Sequence, residues 1–346
     1  MKMTVKVLLI FCVIIGVVFT GCNRDGADRV FHINLASVGP SPDPMQNSEL
    51  YWFNTFRDYV EERSAGRLRA HFFGGGQLGG QAEIAQGVAG GSIHMGIINL
   101  AVLTSHDRNL MIFTIPGIFQ DEMEATAILN SPFSQELFSN LERQMNFRVI
   151  QPASNGFRSF TNSRRELRLP EDMRGLTFRV MQDPMFITMV EALGARAVPM
   201  PSPEMYFAMQ TGVVDGQENP VINVLQDLTF EVQRYMVLNK HTASVMLKLI
   251  SERWLSTLPE DLQQIVLDGA NLGGEAAFRR TQIMNNEGVE ILRGHGMIVY
   301  EPTPAELAEW HAAVYPAASA FVRSQVGDEL VDSLLATIQA HRDGRL

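Results

Sequence analysis

Hydrophobic and polar positions follow two periods along the chain, and the two take turns from Val30 onward. Val30–Val38 alternates loosely, which predicts a first strand. The proline-rich Gly39–Met45 breaks it with a loop. Leu50, Phe53, Phe56, Tyr59 and Val60 then fall at helical spacing, predicting a helix over Asn47–Ser64 that stops at Ala65-Gly66. Leu68–Phe73 and Met95–Asn99 read as strands, with a helix from Gln81 to Gly90-Gly91 between them. Phe113–Phe119 is apolar around Pro116-Gly117 and reads as a buried turn. Helices are expected over Glu122–Leu129 and Pro132–Met145, strands over Arg148–Pro152 and Phe157–Thr161, and one helical turn over Leu169–Gly175.

The stretch Gly175–Pro220 packs the most pattern into the least length. A short apolar run carries Arg179 between Phe178 and Val180. A helix (Met185–Leu193), a second strand, a second helix (Glu204–Thr211) and a polar turn follow. Asp183-Pro184 and Ser202-Pro203 each offer a capping side chain before a proline at the first helical position. Strands alternating with helices predict βαβ units and a sheet that is at least partly parallel. Ligands in such sheets bind beyond the strand ends. Arg179 stands at one such end, and Asp215, Gln217, Glu218 and Asn219 at another. Val237–His241 and Ala243–Ser251 read as paired or consecutive strands. Pro259–Arg293 keeps helical spacing without a proline, weakened at Gly269, Gly273 and Gly274, where it can bend. At about 1.5 Å per residue it would run about 50 Å, enough to bridge two domains. Met297–Tyr300 is a further strand, Thr303–Glu306 a capping box, and helices continue to Ala340.

Composition narrows the class. The chain has 346 residues, 46% hydrophobic and 19% charged, which suits a globular protein of two domains. Its net charge of −10 argues against a nucleic-acid partner. Lys2 and Lys6 precede the uncharged apolar run Val7–Val18, too short to span a bilayer comfortably. The run ends in Phe19-Thr20-Gly21-Cys22, which resembles the lipobox of bacterial lipoproteins, with Phe19 where leucine is usual. Residues 1–21 are therefore expected to be a signal peptide and 22–29 a tether lipidated at Cys22. A plain secretory signal or an uncleaved anchor helix are the alternatives. Removing the signal would make the chain two charges more negative. Cys12 lies in the signal, so the folded part holds no disulfide, thiol nucleophile or cysteine metal site.

Little in the chain points to catalysis. The cluster Gly74–Gly80 is followed by Gln81-Ala82, not the Lys-Ser/Thr pair of a phosphate loop, and reads as a turn feeding a helix. The eight histidines stand in no zinc-binding spacing, and no serine sits in a nucleophile elbow. Asp215 and Glu218 could form an acid/base pair but read more simply as capping and loop-ordering groups. Arg179 is the awkward residue, because an unpaired guanidinium in an apolar run is costly. Either an internal Asp or Glu pairs with it, or the anion arrives as a ligand whose carboxylate fits the guanidinium fork. Arg158, in Asn155–Asn162, poses the same choice.

The segment Asn155–Pro220 resembles the substrate-binding proteins of tripartite ATP-independent periplasmic (TRAP) transporters, the family of dicarboxylate and sialic-acid receptors. Gly156-Phe-Arg158 with Thr161-Asn162 matches the family's strand with the first arginine. Pro170–Gly175 followed by Phe178-Arg-Val180 matches its second. Ala192–Ala195, Val198–Met200, Glu204–Tyr206 and Ala208–Gln210 match the next strand and helix, and Val213–Pro220 is the most specific string. Gln77–Gly79 and Leu258–Asp261 extend the likeness over nearly the whole mature chain. The resemblance implies an α/β, two-lobed periplasmic-binding-protein fold with a ligand cleft between lobes and a long bridging helix. Lobe I would hold 30–155 plus about 245–284, and lobe II 156–244 plus about 285–346. It implies that Arg179 pairs with a ligand carboxylate, that Arg158 is a second arginine on the acid, and that Asn219 hydrogen-bonds the ligand. Asn99 and Ser37 fall where other members place polar contacts. Ser202 stands where some members carry an aromatic residue, so no particular member's ligand carries over. The implied function is a periplasmic, membrane-anchored receptor that binds a small organic acid and delivers it to the membrane subunits of a cation-coupled TRAP transporter. No catalysis, cofactor or metal is implied. A receptor serving a sensor kinase and a two-lobed hydrolase are the rival readings.

Overall fold

The computed structural model describes residues 29–345, so the expected signal peptide and Cys22 lie outside the described residues. In the first part of the chain, β1 (Phe31–Ala36), α1 (Ser48–Arg63), β2 (Leu68–Phe73), α2 (Gln81–Gly90) and β3 (Met95–Asn99) form a parallel unit. Two 3-10 turns, Leu100–Leu103 and Arg108–Thr114, lead to α3 (Glu122–Leu129) and α4 (Pro132–Met145). After β4 (Phe147–Asn162) comes a second unit: β5 (Thr177–Val180), α5 (Pro184–Ala192), β6 (Arg196–Pro199), α6 (Ser202–Gln210), β7 (Gly216–Asn219) and α7 (Val221–Gln226). The chain ends with β8 (Tyr235–Ser251), α8 (Glu252–Leu255), α9 (Glu260–Gly294), β9 (Ile298–Tyr300), α10 (Pro304–Val326) and α11 (Asp328–Arg342).

Described strands join in the order β2-β1-β3-β8-β4-β7-β5-β6, with β9 beside β8. The middle of that order is decisive. β4 and β8 are 16 and 17 residues long and run antiparallel, from Phe147 opposite Ser251 to Asn162 opposite Tyr235. One end of this ribbon carries β3, and the other carries β7 and β9. The sequence reading split each long strand in two. The breaks it sensed are irregularities inside continuous strands: the register shifts between Ile150 and Ala153, between Ser154 and Phe157, and between Arg158 and Phe160. Gln151 (φ 40°) and Gly156 (φ 109°) take left-handed backbone at the first two. Bulges of this kind bend a strand without ending it.

Helix α9 joins two cores. Leu262, Val266, Ala270 and Ala277 pack with Trp52, Phe53, Phe56 and Val60 of α1. Met284 and Leu292 pack with Val221, Ile222 and Leu225 of α7. The helix is unbroken over 35 residues, so its glycines do not interrupt it. They serve close approach instead. A Cβ on Gly269 would stand 2.8 Å from Val60 Cγ1, and one on Gly273 would stand 3.1 Å from the Trp52 carbonyl oxygen. Helix α11 is tied back to α3 by Arg342, whose Nε donates to Glu124 at 2.7 Å.

Two further readings are corrected and two hold. Asp215–Asn219 was expected to be a polar turn, but Gly216–Asn219 is a buried strand paired with β4 and β5. Asp183 caps α5 as expected, accepting from Met185 N–H at 2.7 Å. Ser202 makes no cap hydrogen bond, because α6 begins after Pro201. The Thr303–Glu306 capping box is present as read.

The glycine packing makes a prediction. Gly273→Leu should destabilise the protein by ~1–3 kcal/mol through overpacking against Trp52. Urea denaturation measures this directly. An unchanged midpoint would mean that α9 and α1 have room to separate.

Candidate functional site

The sheet order brings the sequence-predicted residues together. Arg158 (β4), Arg179 (β5), Asn219 (β7) and Asn99 (β3) all line one cavity, with Ser244 and Met246 of β8. The first turns of α1 and α2 add Glu49, Gln81 and Ala82, and the segment after β6 adds Met200, Pro201 and Ser202. Ser37 is the exception. It is fully buried and does not line the cavity, although its neighbour Val38 does. Its hydroxyl makes no hydrogen bond of normal geometry, yet lies close enough to Glu49 to favour the charged carboxylate.

The two arginines have opposite environments. Arg158 is paired inside the protein: Nη2 donates to Glu218 Oε1 at 2.8 Å and to the Glu218 carbonyl at 2.6 Å, and Nε contacts Glu218 Oε2. Only Nη1 points elsewhere, donating to Ser244 Oγ at 3.3 Å. His241 Nε2 lies 3.2 Å from the same carboxylate. Burial would raise Glu218, but the Arg158 charge and these hydrogen bonds outweigh it and hold the carboxyl below its ordinary range. Burial keeps His241 below its ordinary value, so the ring is neutral. The internal ion pair weighed for both arginines is thus the state of Arg158.

Arg179 has no such partner. It is 3% exposed, and Nε and Nη2 donate only to the Met200 carbonyl, at 3.0 and 2.8 Å. The Nη1–Nη2 edge meets no acceptor among the described residues. Burial lowers its pKa to about 10, and the like charge of Arg158 adds to the shift. A buried guanidinium with a free edge is a ready-made partner for a carboxylate.

β7 explains how Asn219 is held. Gly216 must lack a side chain, since a Cβ there would stand 2.0 Å from the Thr161 carbonyl oxygen. Gln217 then donates to Thr161 Oγ1 at 2.9 Å, Thr161 to Gln233 Oε1 at 3.0 Å, and Asn219 Nδ2 to Gln217 Oε1 at 2.6 Å. This chain of partners lets a strand of polar residues be buried. Asn99 is fixed too, accepting from Ala101 N–H at 3.0 Å and donating to Ser244 Oγ at 3.0 Å.

Sequence reasoning missed the acids and the lysine. Glu49 and Asp227 line the cavity. Glu49 accepts from Gly39 N–H at 3.1 Å, and burial raises its pKa. Asp227 is raised to about 7, by burial first and by the charge of Glu49 second. Lys248 lines an adjoining chamber with Glu49, and burial lowers it to about 8. A signal existed for Lys248, the one charge in the apolar run Ala243–Ser251. Nothing in sequence marked Glu49 or Asp227. Among the described residues no group of three or more His, Cys, Asp or Glu side chains could hold a metal ion. Nor, among the described residues, is any helix long and apolar enough to cross a membrane.

Comparison with known proteins adds to this geometry. The profile of the bacterial extracellular solute-binding proteins of family 7 (DctP) matches residues 44–325. A solute-binding protein of Verminephrobacter eiseniae is 31% identical over 268 residues, which are 78% of this chain and 79% of that protein. The crystal structure of the sugar acid binding protein DctPAm from Advenella mimigardefordensis, in complex with galactonate, is similar at a TM-score of 0.84 and 26% identity, over 90% of this chain and 98% of that one. A TRAP periplasmic solute binding protein from Polaromonas, bound to D-erythronate, is similar at 0.80 and 26% identity, over 88% and 98%.

The raised Asp227 has a signed consequence. The folded chain holds this proton more tightly than the unfolded chain, so stability falls as pH rises from about 4 to 7 and stays lower above. Asp227→Asn should therefore lose less melting temperature than wild type between pH 5 and pH 8 without ligand. Equal losses in both proteins would place the Asp227 carboxylate in water.

Proposed function

The chain belongs to the bacterial extracellular solute-binding proteins of family 7, the TRAP receptors, and from that premise we propose that it is an extracytoplasmic receptor for a small organic acid, which it delivers to a cation-coupled TRAP transporter. One observation carries the reading: Arg179 is buried in the cavity without an internal carboxylate. The anion it needs is the ligand. A carboxylate on the Nη1–Nη2 edge gains charge-assisted hydrogen bonds worth ~1.5–3 kcal/mol each. Arg158, matched by Glu218, contributes its Nη1, while Asn219 and Asn99 supply polar contacts.

Lobe I is proposed to comprise 30–155 and about 245–284, and lobe II 156–244 and about 285–346. The separate cores around α1 and α7 support the division. The pair Arg342–Glu124 lets α11 reach back across it. The irregular β4–β8 ribbon and α9 are the connections able to flex. A ligand touching both lobes binds the closed form better, and that difference in affinity closes the cleft. The role is binding without turnover. Nothing in the family description favours service to a sensor kinase.

A family of extracellular receptors implies a periplasmic site of action. The finer proposal is that the signal 1–21 is cleaved and Cys22 carries lipid, so that the protein meets the membrane through the anchor and the transporter subunits alone.

Two experiments test these readings. Organic acids should raise the melting temperature of the purified soluble domain, and Arg179→Ala should weaken the best of them at least ~tenfold by calorimetry. Unchanged affinity in that variant would sink the arginine assignment. Separately, Cys22→Ser should abolish labelling by radioactive palmitate in cells and release the protein from the membrane fraction; retained label would rule out lipidation there.

A further inference from the structure

This inference rests on the receptor reading above and narrows the acid. Asp227 lines the same cavity as Arg179, is buried, and accepts no hydrogen bond from any described residue. Glu49 is the second acid on the lining; Gly39 N–H donates to it, the Ser37 and Gln226 side chains lie beside it, and burial still raises its pKa. Lys248 shares the adjoining chamber with Glu49 without a direct ion pair, and its ammonium donates to no described residue. Once a ligand carboxylate has taken Arg179, with Arg158 already matched by Glu218, the charges left above about pH 7, where Asp227 is ionised, are two carboxylates against one ammonium. A second carboxylate on the ligand would add to that excess. Ligand hydroxyls would satisfy these groups without adding to the excess, because a hydroxyl donates to Asp227 or Glu49 and accepts from Lys248.

We propose that Asp227 and Glu49 make this receptor selective for acids with one carboxylate and several hydroxyl groups, held at the acid end by Arg179 and along the chain by hydroxyl donation to the two buried carboxylates. Dicarboxylates are rejected by the same pair, through like-charge repulsion in a site too dry to screen it. Unsubstituted fatty acids are rejected because they leave Asp227 without a donor. The upward shift of Asp227 by burial and by Glu49 agrees with this, since the group is short of donors in the empty cavity. Ser48, Asn155 and Thr281, which line the chamber beside Lys248, give it a polar wall suited to hydroxyls.

The test is calorimetry on the purified protein at pH 8, where Asp227 is ionised, with three series matched in length at four, five and six carbons: aldonates, α,ω-dicarboxylates and unsubstituted fatty acids. The best aldonate should bind at least ~tenfold tighter than either counterpart of its length. Asp227→Asn, whose carboxylate holds nothing in the protein, should narrow the aldonate-to-dicarboxylate ratio by at least ~threefold. Glu49→Gln should narrow it in the same direction. A dicarboxylate that binds as tightly as the best aldonate would overturn the selectivity and leave the receptor reading intact. A ratio unchanged in both variants would also overturn it. Binding by none of the three series would overturn selectivity and receptor reading together.

Discussion

Everything in this cavity turns on the Arg179 guanidinium, buried with one edge satisfied by the Met200 carbonyl and the other edge open. A charged group in that position is held there by the packing of β5 between β6 and β7, not by an ion pair. Arg158 shows what the alternative looks like. Its fork is closed by Glu218, and Glu218 is in turn shared with His241. One arginine is thus spent on structure, while the other keeps a free edge, the one to which we assign the ligand's carboxylate in our proposal. Two arginines that look equivalent in sequence differ because Glu218 of β7 closes on Arg158, whereas Arg179 meets only the Met200 carbonyl.

In the proposed reading the architecture couples that local charge problem to closure of the cleft. β4 and β8 thread through the whole sheet, and Arg158 lies on β4 beyond two of its three register shifts, opposite Thr242. Lining residues come from both ends of this ribbon: Asn99 and Glu49 from one, Arg179 and Asn219 from the other. A ligand that satisfies groups on both sides therefore stabilises their approach, and no separate latch is required. Helix α9 keeps the two cores in register, because its glycines seat it against Trp52 and Val60 while its far half belongs to the α7 core.

Much of this was legible in the chain. Apolar periodicity placed β1, β2, β3, α3, α4 and α9 within a residue or two, because each buries one face or all of itself. It failed at β7, where Gly-Gln-Glu-Asn offers no apolar residue and burial is met by a side-chain hydrogen bond to Thr161 of β4, which passes on to Gln233. It also cut β4 and β8 in two, since irregular register breaks the alternation that marks a strand. At the site, the resemblance singled out Arg179, Arg158, Asn219 and Asn99, which the structure brings to one cavity. Chemistry alone could not rank the arginines, because the partner of Arg158 lies 60 residues away. Glu49 was silent because it stands in the first turn of a helix, where acids are ordinary, and Asp227 because the short helix that it ends was not read from the sequence.

The central claim is that the missing partner of Arg179 is the ligand's own carboxylate. Its most direct measurement is a cycle: the affinity of the tightest-binding acid and of its neutral amide, each for wild type and for Arg179→Met. The account predicts that amidation costs wild type at least ~tenfold and costs the variant almost nothing, because the charge and its receptor act as one pair. If amidation costs both proteins equally, the carboxylate is held elsewhere, and Arg179 is a structural residue after all.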